Sequence, residues 1–191
     1  MDAPAQYALA YALTTTAGLR GFLTLFAASV AAHYHWIHPS AGFAWLGADG
    51  TVIVLGVFAL LEMVADKVPA VDHALHAISF AARPLAAAVL VGGTVNTSNA
   101  AELYGLMAAG ALNSLVVHSS SAAARAASSA TTFGLANPLI SVVEDVLTIA
   151  GLVVSFAFPI LAAILALILV SALIVTAYRI YRNRRLAGIS A

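Results

Sequence analysis

Pro159–Tyr178 reads PILAAILALILVSALIVTAY, twenty consecutive residues without a charge. At a rise of about 1.5 Å per residue this stretch is about 30 Å long as a helix, the thickness of a bilayer's hydrocarbon core. It runs into Arg179, Arg182, Arg184 and Arg185, the only dense basic cluster, which reads as an anchor at the membrane edge. The rest of the chain agrees with this reading. Of its 191 residues, 62% are hydrophobic and 8% charged, where a soluble domain carries about 25% charged residues. So few charges cannot cover a water-facing surface. The expected fold is all-α, a polytopic transmembrane helix bundle, with residues 1–191 forming a single integral membrane domain.

Apolar runs separated by Gly, Pro and polar clusters predict about six spans. They cover 8–32, 51–67, a segment from 77 or 84 to 95, then 100–124, 137–158 and 159–178. The third is interrupted by Arg83-Pro84 and Gly92-Gly93, so it reads as a kinked span or a re-entrant segment. Lys and Arg hold loops on the cytoplasmic side. Six crossings with a cytoplasmic C-terminus place the N-terminus inside too, with Lys67, Arg83 and Arg125 in the inner connections and no base in the outer ones. The expected location is a bacterial inner membrane. Met1-Asp2-Ala3-Pro4 lacks the basic flank of a signal peptide, so the first helix is expected to be retained. A 3+3 inverted repeat is a further expectation, since each half has an Arg among small residues (Arg20; Arg125) and then an acid in an apolar helix (Glu62; Glu144).

An ionised group at mid-bilayer costs at least about 2.5 kcal/mol, so it persists only when paired, hydrated or protonated. Arg20, Glu62, Asp66, Glu144 and Asp145 fall inside the expected spans. Arg20 lies near the middle of the first and needs a partner, for which Glu62 and Glu144 are the candidates. Glu62 and Asp66 are four apart on one helix face, followed by Lys67. Asn137-Pro138 suits a helix start, with Glu144-Asp145 two turns on. Adjacent residues point about 100° apart, so at least one of these two acids faces the core. The set reads either as an ion-pair network that fixes helix packing or as a hydrated ion or proton path.

Other polar groups suggest less. His33, His35 and His38, near Asp49, have spacing that can hold zinc or copper, but Tyr34 and Trp36 make the loop equally a membrane-edge anchor. His73 and His76 beside Asp72 could form a pH-sensitive patch. His118 offers no second imidazole at its depth for a haem. Asn96-Thr97-Ser98 is a glycosylation sequon by pattern only. Cysteine is absent, which excludes disulfides and thiol chemistry, and zero formal net charge argues against nucleic acid as a partner.

The ordered segments Gly18-Leu19-Arg20-Gly21-Phe22, Leu61-Glu62, Ala65-Asp66-Lys67-Val68-Pro69, Asp72-His73, Arg83-Pro84, Asn137-Pro138, Ser141 and Glu144-Asp145 resemble a bacterial multi-pass membrane family catalogued as domain of unknown function 4126. The resemblance covers nearly the whole chain. It implies that these polar positions form one set and supplies no activity. A more distant analogy is to cation exchangers with a Glu-x-Gly-Asp-Lys motif. Here Glu62 to Lys67 has one residue too many and Ala for Gly, while Glu144-Asp145 lacks the spacing and the lysine.

The leading functional expectation is a small secondary transporter or exchanger for a cation, divalent metal or proton. Glu62, Asp66, Glu144 and Asp145 would be its ligands, with Arg20 as a movable counter-charge and Lys67 and Arg125 nearby. Such oxygen-rich groups suit hard divalent ions, and no other cofactor is expected. A second expectation is binding or transport of an anionic lipid or phosphate-bearing molecule by Lys67, Arg83 and Arg125 at the inner leaflet. A third is a non-transporting scaffold subunit. No nucleophile–base set or phosphate loop marks an enzyme. Gly105, Ala109 and Gly110 permit close helix contact, within the chain or in a homo-oligomer.

Overall fold

The computed structural model describes residues 1–65 and 69–187, with side chains described except at 69–77 and 184–187. Among the described residues the protein is all-α, with no strand. The helices are α1 (Ala3–Leu19), α2 (Gly21–His33), α3 (Asp49–Ala65), α4 (Pro69–Thr94), α5 (Ala100–Thr132), α6 (Asn137–Ala157) and α7 (Pro159–Ala187), with a 3₁₀ segment at Ala41–Gly47. Three of them, over 100–132, 137–157 and 159–183, are long and apolar enough to cross a membrane. The 3₁₀ segment and α3, bent by 65°, make a fourth if they act as one span. This is an integral membrane protein.

The expected first span is not one straight helix. It breaks at Arg20, whose backbone is extended (φ −141°, ψ 96°) and which serves both as C-cap of α1 and N-cap of α2. The sequence prepares the break. Thr14, Thr15 and Thr16 turn their hydroxyls back onto the carbonyls of Tyr11, Ala12 and Leu13, competing with the helix ladder, and glycines stand at 18 and 21. At 13 residues α2 is only about 20 Å long, too short for a bilayer core. The chain folds back at Arg20. Gln6 of α1 and His38 just past α2 meet on Asn96, whose backbone N–H donates to Gln6 Oε1 (3.1 Å) and whose Nδ2 donates to the His38 carbonyl (2.8 Å). A straight helix would hold positions 6 and 38 about 48 Å apart.

Around this folded-back pair the other helices alternate in direction. Glu62 near the end of α3 reaches the start of α2, Gly56 packs on Phe26, and α3 therefore runs antiparallel to α2. α4 returns beside α1, so that Arg83 meets Gly18 while Asn96 meets Gln6. α5 runs parallel to α1, with Tyr7 donating to Glu102 (2.5 Å), Asn113 donating to Thr14 and Thr15, and Gly18 against Val117. Gly18 is required there, because a Cβ on it would lie 2.5 Å from Val117 Cβ and 2.7 Å from the Ser114 carbonyl. The core of Leu9, Leu13, Leu25, Ala28, Ile37 and Leu90 fills the angle between α1, α2 and α4.

Several expectations change with this architecture. The third expected span is not interrupted at Pro84; α4 is continuous, with Gly92 and Gly93 taking Phe43 and Leu46 at close range. Residues 125–132, beyond the expected end of the fourth span, continue α5 for about two turns. The interrupted element is the first one. Its counterpart in the second half, α5, is unbroken, and the one-residue break there falls at Phe158 between α6 and α7.

Candidate functional site

Both cut ends of the broken helix are satisfied by side chains from other elements. At the α2 start, the Glu62 carboxylate accepts from the backbone amides of Gly21 (3.0 Å), Phe22 (3.0 Å) and Leu23 (3.2 Å). These are the donors that a helix N-terminus leaves without an intrahelical partner, and they favour an anion. At the α1 end, Arg83 Nη1 donates to the Gly18 carbonyl (2.9 Å) and to His118 Nδ1 (2.8 Å). Because arginine is only a donor, His118 accepts at Nδ1. Arg83 Nε lies 3.8 Å from Glu62 Oε1, which joins the two caps.

Arg20 turns the other way. Its Nε lies 2.7 Å from Asp145 Oδ1, its Nη2 lies 3.7 Å from Glu144 Oε2, and Nη2 also donates to the Ser141 carbonyl (3.1 Å) and hydroxyl (3.0 Å). Arg125 Nη2 donates to Glu144 Oε2 at 2.5 Å, and the Ser121 hydroxyl donates to Glu144 Oε1. Arg20 is fully buried, and Arg83, Arg125, Glu144 and Asp145 are all less than a tenth exposed. The result is two linked cells among the described residues: Glu62 with Arg83 and His118, and Glu144 and Asp145 with Arg20, Arg125, Ser121 and Ser141. Three carboxylates face three guanidiniums, which fits the requirement that charge away from water be paired.

Between α3 and α4 a cavity of about 280 Å³ opens beside the first cell. Phe22, Phe58, Leu61, Ala65, Ile78 and Ala82 form its apolar walls, and Arg20, Glu62 and Arg83 its charged end. Leu61 and Ile78 are more than half exposed, so the cavity is open sideways past these two side chains.

The sequence brought several of these residues into view. Arg20 pairs with Glu144, one of its two expected partners, and more closely with Asp145. Glu144 and Asp145 both face the core. Glu62 belongs to Arg83 and to the helix end instead. Arg83 and Arg125, expected in inner connections, are buried within α4 and α5. Asp66 and Lys67 lie outside the described residues, as do the side chains of Asp72, His73 and His76. His33, His35 and His38 do not converge: His33 turns to the Gly47 carbonyl (3.1 Å) and Asp49 (3.3 Å), while His35 stacks with His38. Among the described residues no group of three or more His, Cys, Asp or Glu is placed to hold a metal. Sequence reasoning missed His118 and Ser121 as partners of the charges; one helical turn separates them on α5, and Arg125 follows a turn later, which is the signal that was there to be read.

A helical membrane protein with an interrupted helix closed by buried charges is the class that this fold and site define. Within that class, residues 7–179 match the family described as Domain of unknown function (DUF4126), and the chain belongs to it. No curated protein and no solved structure matches the chain.

Proposed function

We propose that the protein is a small secondary transporter that couples its cargo to protons through Glu62. The observation that carries this reading is the Glu62 carboxylate bound to the amides at the cut end of α2. Interrupted helices whose half-helix ends meet a charge are the usual substrate and coupling sites of secondary transporters. Here the charge that α2 faces belongs to the protein itself. When Glu62 takes a proton it loses most of its attraction for the amides and Arg83, and the folded-back pair α1–α2 is freed to shift against α3 and α4. The second cell, Arg20 with Glu144 and Asp145, is the hinge that holds the apex.

The donor set favours a proton over a divalent metal as coupling ion. A hard cation needs several oxygens converging on one point, whereas each of these carboxylates is directed at guanidinium, hydroxyl or amide hydrogens. The distribution of charge supports five crossings, by α3 to α7, around a re-entrant α1–α2. In that arrangement the N-terminus and the loops at 34–48 and 95–99 share one side. Arg179 and Arg182 lie on the other, the cytoplasmic side of an inner membrane by the positive-inside rule.

The test is proteoliposome flux read by an internal pH dye under imposed ion and pH gradients. Wild type is expected to move protons, and Glu62→Gln to abolish the movement while keeping its fold. Flux in Glu62→Gln equal to wild type would overturn the coupling. Silence of both proteins across all gradients would favour the reading in which the ion pairs serve packing alone.

A further inference from the structure

We propose that the cavity between α3 and α4 is the cargo site, and that its cargo is an amphiphile with one carboxylate head and one short apolar chain. The inference rests on the reading of Glu62 as proton carrier and deepens it. Three observations point the same way. The cavity is walled by apolar side chains and opens sideways past Leu61 and Ile78, the route available to a molecule dissolved in the bilayer. Its inner end is charged, and is formed by Arg20, Arg83 and Glu62. The buried Arg83 Nε, on the side chain that lines this end, has no hydrogen-bond partner among the described residues, so a donor is held in reserve where an acidic head would lie.

The size of the head follows from what fills the place now. The amides of residues 21–23 hold a carboxylate with a single charge, that of Glu62, on both of its oxygens. A carboxylate of the cargo can take over this cradle when Glu62 is protonated and withdraws, leaving the charge of the site unchanged. A phosphate would bring a further oxygen and up to one more charge into a place whose walls are apolar side chains. Among the described residues the charged groups facing Glu62 are Arg83 from α4 and Arg20 from the α1–α2 apex, with His118 of α5 behind Arg83. One proton therefore enters with one anion, and the step is electroneutral.

The experiment is binding of radiolabelled decanoate to the full-length protein in phosphatidylcholine nanodiscs, with empty nanodiscs subtracted and with decanol and decyl phosphate as competitors. Wild type is expected to bind decanoate saturably, more tightly at about pH 6 than at about pH 8. Glu62→Gln should bind at about pH 8 at least about tenfold more tightly than wild type, because the competing like charge is gone. Ala82→Trp, which fills the cavity, should abolish binding, and Leu61→Trp at its mouth provides the same test if the first variant does not fold. Absence of saturable binding in both wild type and Glu62→Gln would overturn the proposal, as would unchanged binding in the tryptophan variants or equal competition by decanol or decyl phosphate. Proton flux without decanoate binding removes this cargo and leaves the transport reading standing. Decanoate binding without proton flux upholds the cargo site and removes the coupling.

Discussion

Arg20 has no exposed surface and is committed to Asp145, Glu144 and Ser141 at once. Removing one member of such a buried set leaves an opposite charge without compensation, which costs about 3–5 kcal/mol. Asp145→Asn is therefore expected to lower the thermal unfolding temperature of the detergent-solubilised protein steeply. Glu62→Gln should behave differently. Its amide oxygen still accepts from the Phe22 and Leu23 amides, and Arg83 keeps the Gly18 carbonyl and His118, so the loss should be smaller, about 2 kcal/mol, and the variant should purify folded while losing its charge-dependent behaviour. A stability loss at Glu62→Gln as large as at Asp145→Asn would mean that the first cell serves packing. Much of this was legible: an Arg and four acids in apolar runs demand partners. The pairing was not, because the sequence gives no distances, and Arg83 stood beside a proline that suggested a loop.

Among the helices, α1 is in contact with the first half of α5, from Tyr7 at Glu102 to Gly18 at Val117, and glycine makes that approach. Gly18→Ala should force them apart at Val117 and Ser114 and destabilise by about 1–3 kcal/mol. Gly105 lies on the same helix as Ser114 with nothing within 4 Å of where a Cβ would be, so Gly105→Ala should be neutral or stabilising by up to about 1 kcal/mol. Paired unfolding measurements on the two variants check the contrast, and a larger loss at 105 would indicate that this face is covered by another chain. Gly110 packs within the chain, where a Cβ would lie 2.8 Å from both Thr14 and Val91 side chains. Helix positions from α5 to α7 were readable from apolar runs bounded by Asn and Pro. The break at Arg20 was also written there, in three threonines and two glycines, but hydropathy averages over such residues and showed one span.

For the whole molecule, the fold-back at Arg20 predicts which ends share a face of the membrane. The chain has no cysteine, so single cysteines report without background. Cysteines at Asp2, Gly42 and Ser98 should react alike with a membrane-impermeant maleimide in intact cells, and one at Asn183 should be protected until the membrane is opened. Labelling of positions 2 and 183 from the same side would restore the six-span arrangement. Composition and run length by themselves determined that this is a helical membrane protein, because 8% charged residues cannot cover a water-facing surface and an uncharged apolar run of about twenty residues spans lipid as a helix, about twice the length of a barrel strand. It also determined that the buried charges must pair. Only the tertiary structure decided that the first helix turns back, that Glu62 caps it, and that a sideways cavity ends on Arg83. Those outcomes depend on which helix faces which, and hydropathy is blind to direction: a helix that crosses and a pair that enters and returns bury equally apolar residues.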